Sequence, residues 1–443
     1  MKNFSFSLIS PICCYFLAIL LPSPGDIYKA DVVLSPTPLR YTLRVTDSFN
    51  RLLGLTNPKT RQDTTRIVAF DLARGLAILG MFTAHMWVTP TNEMPEPPLG
   101  FLVGLTHGRS ASLFALLAGV SLGIIRDSLY RSSSSDDPTL SLTALRRKTA
   151  LRAVYLIGIA ATLALFNERI LLILDNYGIW FLAVIPLLSL RTRTLLWIGT
   201  CNLLVLVPLF HYLKYVPLPY LVTLALGITD YYFPVYLTYV LVGLILWRLG
   251  WGRRRELARR CAKWGAVAAG VALSAGTLLD SWRLGRPSLA WLGMEAYNSV
   301  YLVPASPETG AVEYPDLNLL TPAHWQFWYN AYLYIAPHTD STLEAVANLG
   351  WSVALVSVLL LAPSGLYRAL SPVAALGSMA LTAYSLHIVW HIFTWKFFGP
   401  IGLFPSYVLM IAVFLTLASL WRLRFRRGPL EALFHRISTP SAP

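Results

Sequence analysis

Charge is scarce in this sequence. Asp, Glu, Lys and Arg make up 13% of 443 residues, 55% are hydrophobic, and the mean hydropathy is +0.55. That balance excludes a soluble globule and predicts an all-α fold, a polytopic bundle of transmembrane helices with the lipid bilayer as its first partner. Cysteine is scarcer still. Cys13, Cys14, Cys201 and Cys261 sit in or beside apolar segments without metal-ligand or disulfide-framework spacing, which argues against redox chemistry. There is no Gly-rich phosphate cradle and no Ser nucleophile elbow. Formal net charge is +14, which in a soluble protein would raise nucleic acid as a partner, but its distribution has a simpler cause.

From residue 67 the hydropathy predicts about ten spans, at roughly 67–88, 100–125, 149–166, 169–190, 194–213, 231–250, 261–281, 346–367, 374–396 and 403–421. Alternating their loops places 28 Lys and Arg on one side of the membrane and six on the other, the six being Arg109, Arg169, Lys214, Arg283, Arg286 and Lys396. The excess marks the first side, with the C-terminus, as cytoplasmic in a multi-pass protein of the plasma membrane. Nucleic acid is not needed to explain the basic charge.

Residues 1–22 form an apolar segment, either signal-like, an uncleaved extra span, or the product of an over-long gene start. Residues 23–66 form a basic cytoplasmic segment, 67–435 the main membrane domain, and 436–443 a tail. Ser132 to Asp137 reads as a flexible cytoplasmic linker. The external loop 282–345 is dense in aromatics, among them Trp291, Tyr297, Tyr301, Trp325, Trp328, Tyr329 and Tyr332. Those rings either lie at the lipid interface or stack on a substrate such as a sugar.

The first span carries the most informative polar residues. Asp71, Arg74 and His85 project within about 60° of one another on one helical face, and charged groups in a bilayer cost roughly 2.5–3.5 kcal/mol each. That face should therefore point into the bundle or a wet cavity. His85 lies about 21 Å along the helix from Asp71, so two separate sites are expected on one helix. Asp71 and Arg74 can pair at i, i+3, either as a structural ion pair or as the place where Arg74 meets an anionic donor.

The remaining unusual residues fall near the external face. His107 and Arg109 open the second span, where Ser110 could cap a helix that attracts an anion. Asp175 and Tyr177 lie in the outer third of the fourth, and His338, Asp340 and Glu344 come just before the eighth. His387 and His391 share a face with Tyr384 on the ninth. Five of the eight histidines thus converge on one level, where imidazole could take a proton from an attacking hydroxyl or amine or bond helix to helix. A metal is not expected, because the i, i+4 histidines lack an intervening Glu. His211 and His435 are expected at the surface.

These residues also carry a resemblance. Arg66-x4-Asp71-x2-Arg74-Gly75-x-Ala77 with His85 is similar to the opening helix of the multi-span membrane acyltransferase superfamily. The run from His107 to Ser121 resembles the second span of bacterial heparan-alpha-glucosaminide N-acetyltransferase-like proteins. Leu376 to His387 and Arg427-Gly-Pro-Leu-Glu431 resemble the related YeiB-type proteins. Together they cover most of residues 66–435.

The resemblance implies transfer of an acyl group, usually acetyl, from cytosolic acetyl-CoA as cosubstrate to a sugar or lipid hydroxyl or amine across the membrane. On that reading His85, with His387 or His107, is the catalytic base. Asp71 and Arg74 meet the acyl-CoA, and Arg109, Asp175, Tyr384, His391 and His338 line the acceptor side. One feature departs from the family pattern: Gly104-Leu105-Thr106 is preceded by Leu99, Gly100 and Phe101 where the lysosomal enzyme carries its active histidine. Heparan is accordingly not carried over as the acceptor. The competing expectation is a proton-coupled transporter or flippase that uses the same polar groups.

Overall fold

The computed structural model describes residues 67–86, 99–132, 138–166, 170, 172–213, 231, 233–292, 322–398 and 403–438. The expectations for residues 1–66 and 133–137, for Arg169 and Lys214, and for Tyr297 and Tyr301 lie outside the described residues. Among those described, the regular structure is helical throughout. The first half contains α1 (Val68–Met86), α2 (Leu99–Thr106), α3 (Arg109–Ser132), α4 (Pro138–Ala164), α5 (Leu174–Val184), α6 (Thr192–Cys201), α7 (Val207–Leu213) and α8 (Phe233–Arg248). The second contains α9 (Arg255–Leu284), α10 (Pro322–Tyr332), α11 (Thr342–Leu361), α12 (Ser364–Ala369), α13 (Ser371–Gly377), α14 (Ala380–Phe398), α15 (Leu403–Arg424) and α16 (Pro429–Ser438).

Six segments are long and apolar enough to cross a membrane: Val68–His85, Val103–Tyr130, Thr192–Leu213, Arg255–Leu284, Thr342–Leu361 and Pro405–Arg424. A seventh arises if α13 and α14, bent by 87° at a short break, count as one broken span. The expected number of about ten is not reached on this measure, for physical reasons. Leu174–Ser189 and Phe233–Arg248 are apolar but short, and α4 carries Arg146, Arg147, Lys148 and Arg152 along its first half.

The principal packing pairs are α9 with α11, α3 with α8, α4 with α5, and α1 with α13. Without a hydrophobic drive between helices in lipid, such contacts depend on close backbone approach and on interhelical hydrogen bonds. The α1–α13 contact shows this directly. A Cβ on Gly75 would run into the carbonyl of Val373, and one on Gly377 into the carbonyl of Asp71. The Arg-Gly of the first span is thus a docking point for the short helix before the break.

The break has a cap. Glu431, on the first turn of α16, accepts hydrogen bonds from the backbone N–H groups of Leu381 at 2.8 Å and Thr382 at 3.2 Å, and from the Thr382 hydroxyl at 2.6 Å. It satisfies donors that the start of α14 would otherwise leave orphaned. Tyr155 on α4 donates to the Leu430 carbonyl at 3.0 Å, so α16 is held between α4 and α14.

Ion pairs and hydrogen bonds tie the loops to the helices. Arg253 pairs with Asp127, and Arg248 donates to the carbonyls of Leu188 and Leu190. Buried Asp280 gathers Arg283, Ser288 and Tyr329. One expectation is corrected here. His211 is not at the surface: it is 2% exposed, with Nε2 3.1 Å from the Asp340 carbonyl. A backbone acceptor 129 residues away makes that burial tolerable, and no local pattern announces it.

Candidate functional site

The site is built from α1 and α14, which bring His85 and His387 together. Nδ1 of His85 lies 2.9 Å from Nε2 of His387, and the rings stack with centroids 5.1 Å apart. His391, one turn along α14, closes the group edge-on, 6.3 Å from His85 and 5.9 Å from His387. Phe82 and Tyr384 pack on His387.

The hydrogen bonding fixes the tautomers. Nδ1 of His387 meets the carbonyl of Tyr384, which can only accept, so His387 carries its proton on Nδ1. Its Nε2 is then the acceptor, and His85 must donate from Nδ1. The lone pair of neutral His85 is consequently on Nε2. An imidazole whose second nitrogen is oriented in this way is the usual arrangement of a general base. Nε2 of His391 is buried without a hydrogen-bond partner beside this pair.

A second imidazole pair stands close by. The bare face of Gly80 on α1 lies on Ser110, so the start of α3 abuts α1 little more than a turn from His85. His107 meets His338 edge-to-face at 4.9 Å, and both stand within Coulombic reach of His85. His338 has φ 62° and Asp340 φ 52°, in the left-handed region, and Glu344 holds this turn in place. Its carboxylate accepts from the N–H of His338 at 3.1 Å, the N–H of Asp340 at 2.6 Å, the Thr339 hydroxyl at 2.9 Å and Asn348 at 3.1 Å. Ser341 in turn caps α11 through the Glu344 N–H, completing a variant of the capping box. Burial holds the His338 imidazole down at about 4.

Arg109 is buried and lines a small cavity of about 10 Å³, lined also by His107, Trp291, Glu344 and Asn348. It donates to the carbonyls of Gly104 at 2.6 Å and Trp291 at 3.0 Å, and lies over the Trp291 ring. Ser110 does not cap a helix: it lies inside α3 and donates back to the Thr106 carbonyl. Gly108, with φ 73°, makes the turn between α2 and α3. The Tyr384 hydroxyl accepts from the N–H of Ile173, joining α14 to the start of α5, and Asp175 accepts from its neighbour Asn176.

Toward the basic side, Asp71 and Arg74 pair at 3.1 Å, and Arg74 also donates to Ser121 at 2.8 Å. Arg152 on α4 lies over the rings of Phe434 and Phe181, and its Nη1 is buried with no hydrogen-bond partner. Sequence reasoning missed Arg152, Ser121, Glu344 and Glu431 as site residues. Ser341-x-x-Glu344 and the Arg427–Glu431 ending were the available signals for the last two.

Residues 66–279 match the family described as heparan-alpha-glucosaminide N-acetyltransferase, catalytic. Residues 316–440 match a second family, described as a protein of unknown function, DUF418. Together the two matches support the heparan-alpha-glucosaminide N-acetyltransferase-like/YeiB-like superfamily. No curated protein matches the chain. The placement of the histidines is informative. His85 and His107 lie in the first matched region, while His338, His387 and His391 lie in the second. Both imidazole pairs, His85–His387 and His107–His338, therefore join one matched region to the other.

Proposed function

We propose that the chain is an acyltransferase of a bacterial plasma membrane. It moves an acyl group, acetyl in the simplest case, from cytosolic acyl-CoA to a hydroxyl or amine of a sugar or lipid at the outer face. The observation that carries this reading is the His85–His387 hydrogen bond, which leaves a lone pair on Nε2 of a part-buried imidazole.

In the reaction, Nε2 of His85 takes the proton of the acceptor hydroxyl or amine as its oxygen or nitrogen bonds to the thioester carbonyl. The carbon–sulfur bond breaks, and the departing CoA thiolate receives a proton from the imidazolium. His387 holds His85 in the required tautomer. His391 and Arg109 lie toward the acceptor, His391 through its unpartnered Nε2. Arg74, beside Asp71 and Ser121, faces the donor. An acyl-histidine on His85 is the alternative route to the same product.

A transporter built on broken helices would pair one break with a counterpart in the other half of the chain. Among the described residues, α13–α14 is the one such break. The test is transfer of radiolabel from acetyl-CoA to endogenous lipids and glycans in inverted membrane vesicles. Label in a product only when the chain is present is the expected result and identifies the acceptor class. Absence of label, with no binding of acetyl-CoA to the purified chain, would overturn the reading in favour of another donor or of transport.

A further inference from the structure

On the side opposite the imidazoles, α16 folds back over α4 and covers Arg152. The guanidinium lies 5.2 Å from the Phe434 ring centroid and 6.0 Å from that of Phe181, with Tyr155 and Phe434 packed on each other at 5.3 Å. Its Nη1 is buried and unpartnered. The charged groups within its Coulombic reach are Arg74 and Glu431.

Glu431 does not pair with Arg152. Its two oxygens are engaged by the start of α14, through Leu381 and Thr382. Arg74 has its own carboxylate in Asp71, with Ser121 as a further acceptor. Arg152, half-buried as a residue, thus stands within Coulombic reach of a second half-buried guanidinium, and its Nη1 is buried with nothing to donate to. A buried unmet donor is destabilising, and more so when the group is charged. A planar guanidinium held between aromatic rings with a free edge suits the oxygens of a phosphate.

We infer that Arg152, with Arg74, forms a subsite for a phosphate group on the basic side of the bundle. The aromatic rings of Phe181, Phe434 and Tyr155 form an apolar wall beside it. If the chain uses acyl-CoA, a point that rests on the function proposed above, the phosphate is one of those on the nucleotide portion of the donor. The other source of the same chemistry is the headgroup of an anionic lipid. Glu431 is bound to α14 and not to Arg152, which leaves the guanidinium edge for the phosphate.

The test uses the purified full chain in neutral detergent, titrated with adenosine 3′,5′-bisphosphate and separately with acetyl-CoA. A third arm transfers the protein to nanodiscs with and without phosphatidylglycerol. Arg152→Gln is expected to weaken bisphosphate binding tenfold or more, with Arg152→Lys, which keeps charge and packing but loses the planar fork, falling between. Melting temperatures measured without ligand separate this from misfolding. If Arg152→Lys, folded as wild type, and Arg152→Gln both bind the bisphosphate as wild type does, and phosphatidylglycerol stabilises them as it does wild type, the subsite is overturned.

Bisphosphate binding that depends on Arg152, with acetyl-CoA neither bound nor used, upholds the phosphate subsite and removes the acyl-CoA reading. Stabilisation by phosphatidylglycerol alone, lost in Arg152→Gln, assigns the phosphate to a lipid. No Arg152-dependent response to any of the three probes overturns the inference.

Discussion

The histidines of this protein differ in what each nitrogen has to bond with, and that decides what each can do. His387 is locked by a carbonyl, His85 is locked by His387, and His391 has a buried nitrogen with no partner. His338 has a different task in a tight turn outside the spans, and it gives a pH signature. Its folded-state value of about 4 lies below the ordinary 6.5 because burial disfavours the imidazolium. Between those two values the unfolded chain binds more protons than the folded one, so stability rises with pH across that window and is lost as pH falls through it. The loss amounts to at most about 3 kcal/mol. Asn tolerates positive φ, so His338→Asn should fold and should flatten the fall in melting temperature between pH 6.5 and 4. An unchanged pH profile in that variant would remove His338 as its source. The pairing of Asp71 with Arg74 was legible in the sequence because i, i+3 geometry is local. The burial of His211 was not, because its partner is a carbonyl distant in the chain.

Among the elements, α14 carries His387 to His85, and α13 leads into α14. The α13–α1 contact depends on Gly75 and Gly377, whose Cα atoms face the opposing backbone with no room for a methyl group. Gly377→Ala should therefore push α13 off α1, cost a few kcal/mol of stability through overpacking, and disturb Arg74 more than His85. The check is to compare melting temperature and acetyl-CoA affinity in the variant with wild type. A variant unchanged in both would mean that the backbones do not meet at this point. The sequence marked Gly75 and Gly377 within its motifs but did not reveal that they face each other. It also placed a continuous ninth span where the chain bends by 87°, because apolar composition carries no information about a bend imposed by the Glu431 cap.

For the molecule as a whole, the membrane class and the helical fold were legible from hydropathy and composition. These are sums over many residues, and sums survive local error. The number of spans was not, since short helices and basic helix starts blur the boundary between a span and a buried or interfacial helix. The placing of Arg152 against Phe181 and Phe434, and the return of α16 across α4, are tertiary events with no local signature. What unites the chain is a site shared by its two matched regions, so neither region is expected to act alone. The most direct test of that account is a double-mutant comparison of acetyl-transfer rate in inverted vesicles, using His85→Ala, His387→Phe and the two combined. His85→Ala should lower the rate by about 10²–10⁴-fold. His387→Phe should lower it less, and should add nothing once His85 is gone, because it acts only through His85. A His85→Ala protein of wild-type abundance and melting temperature that retains the full rate would contradict the account.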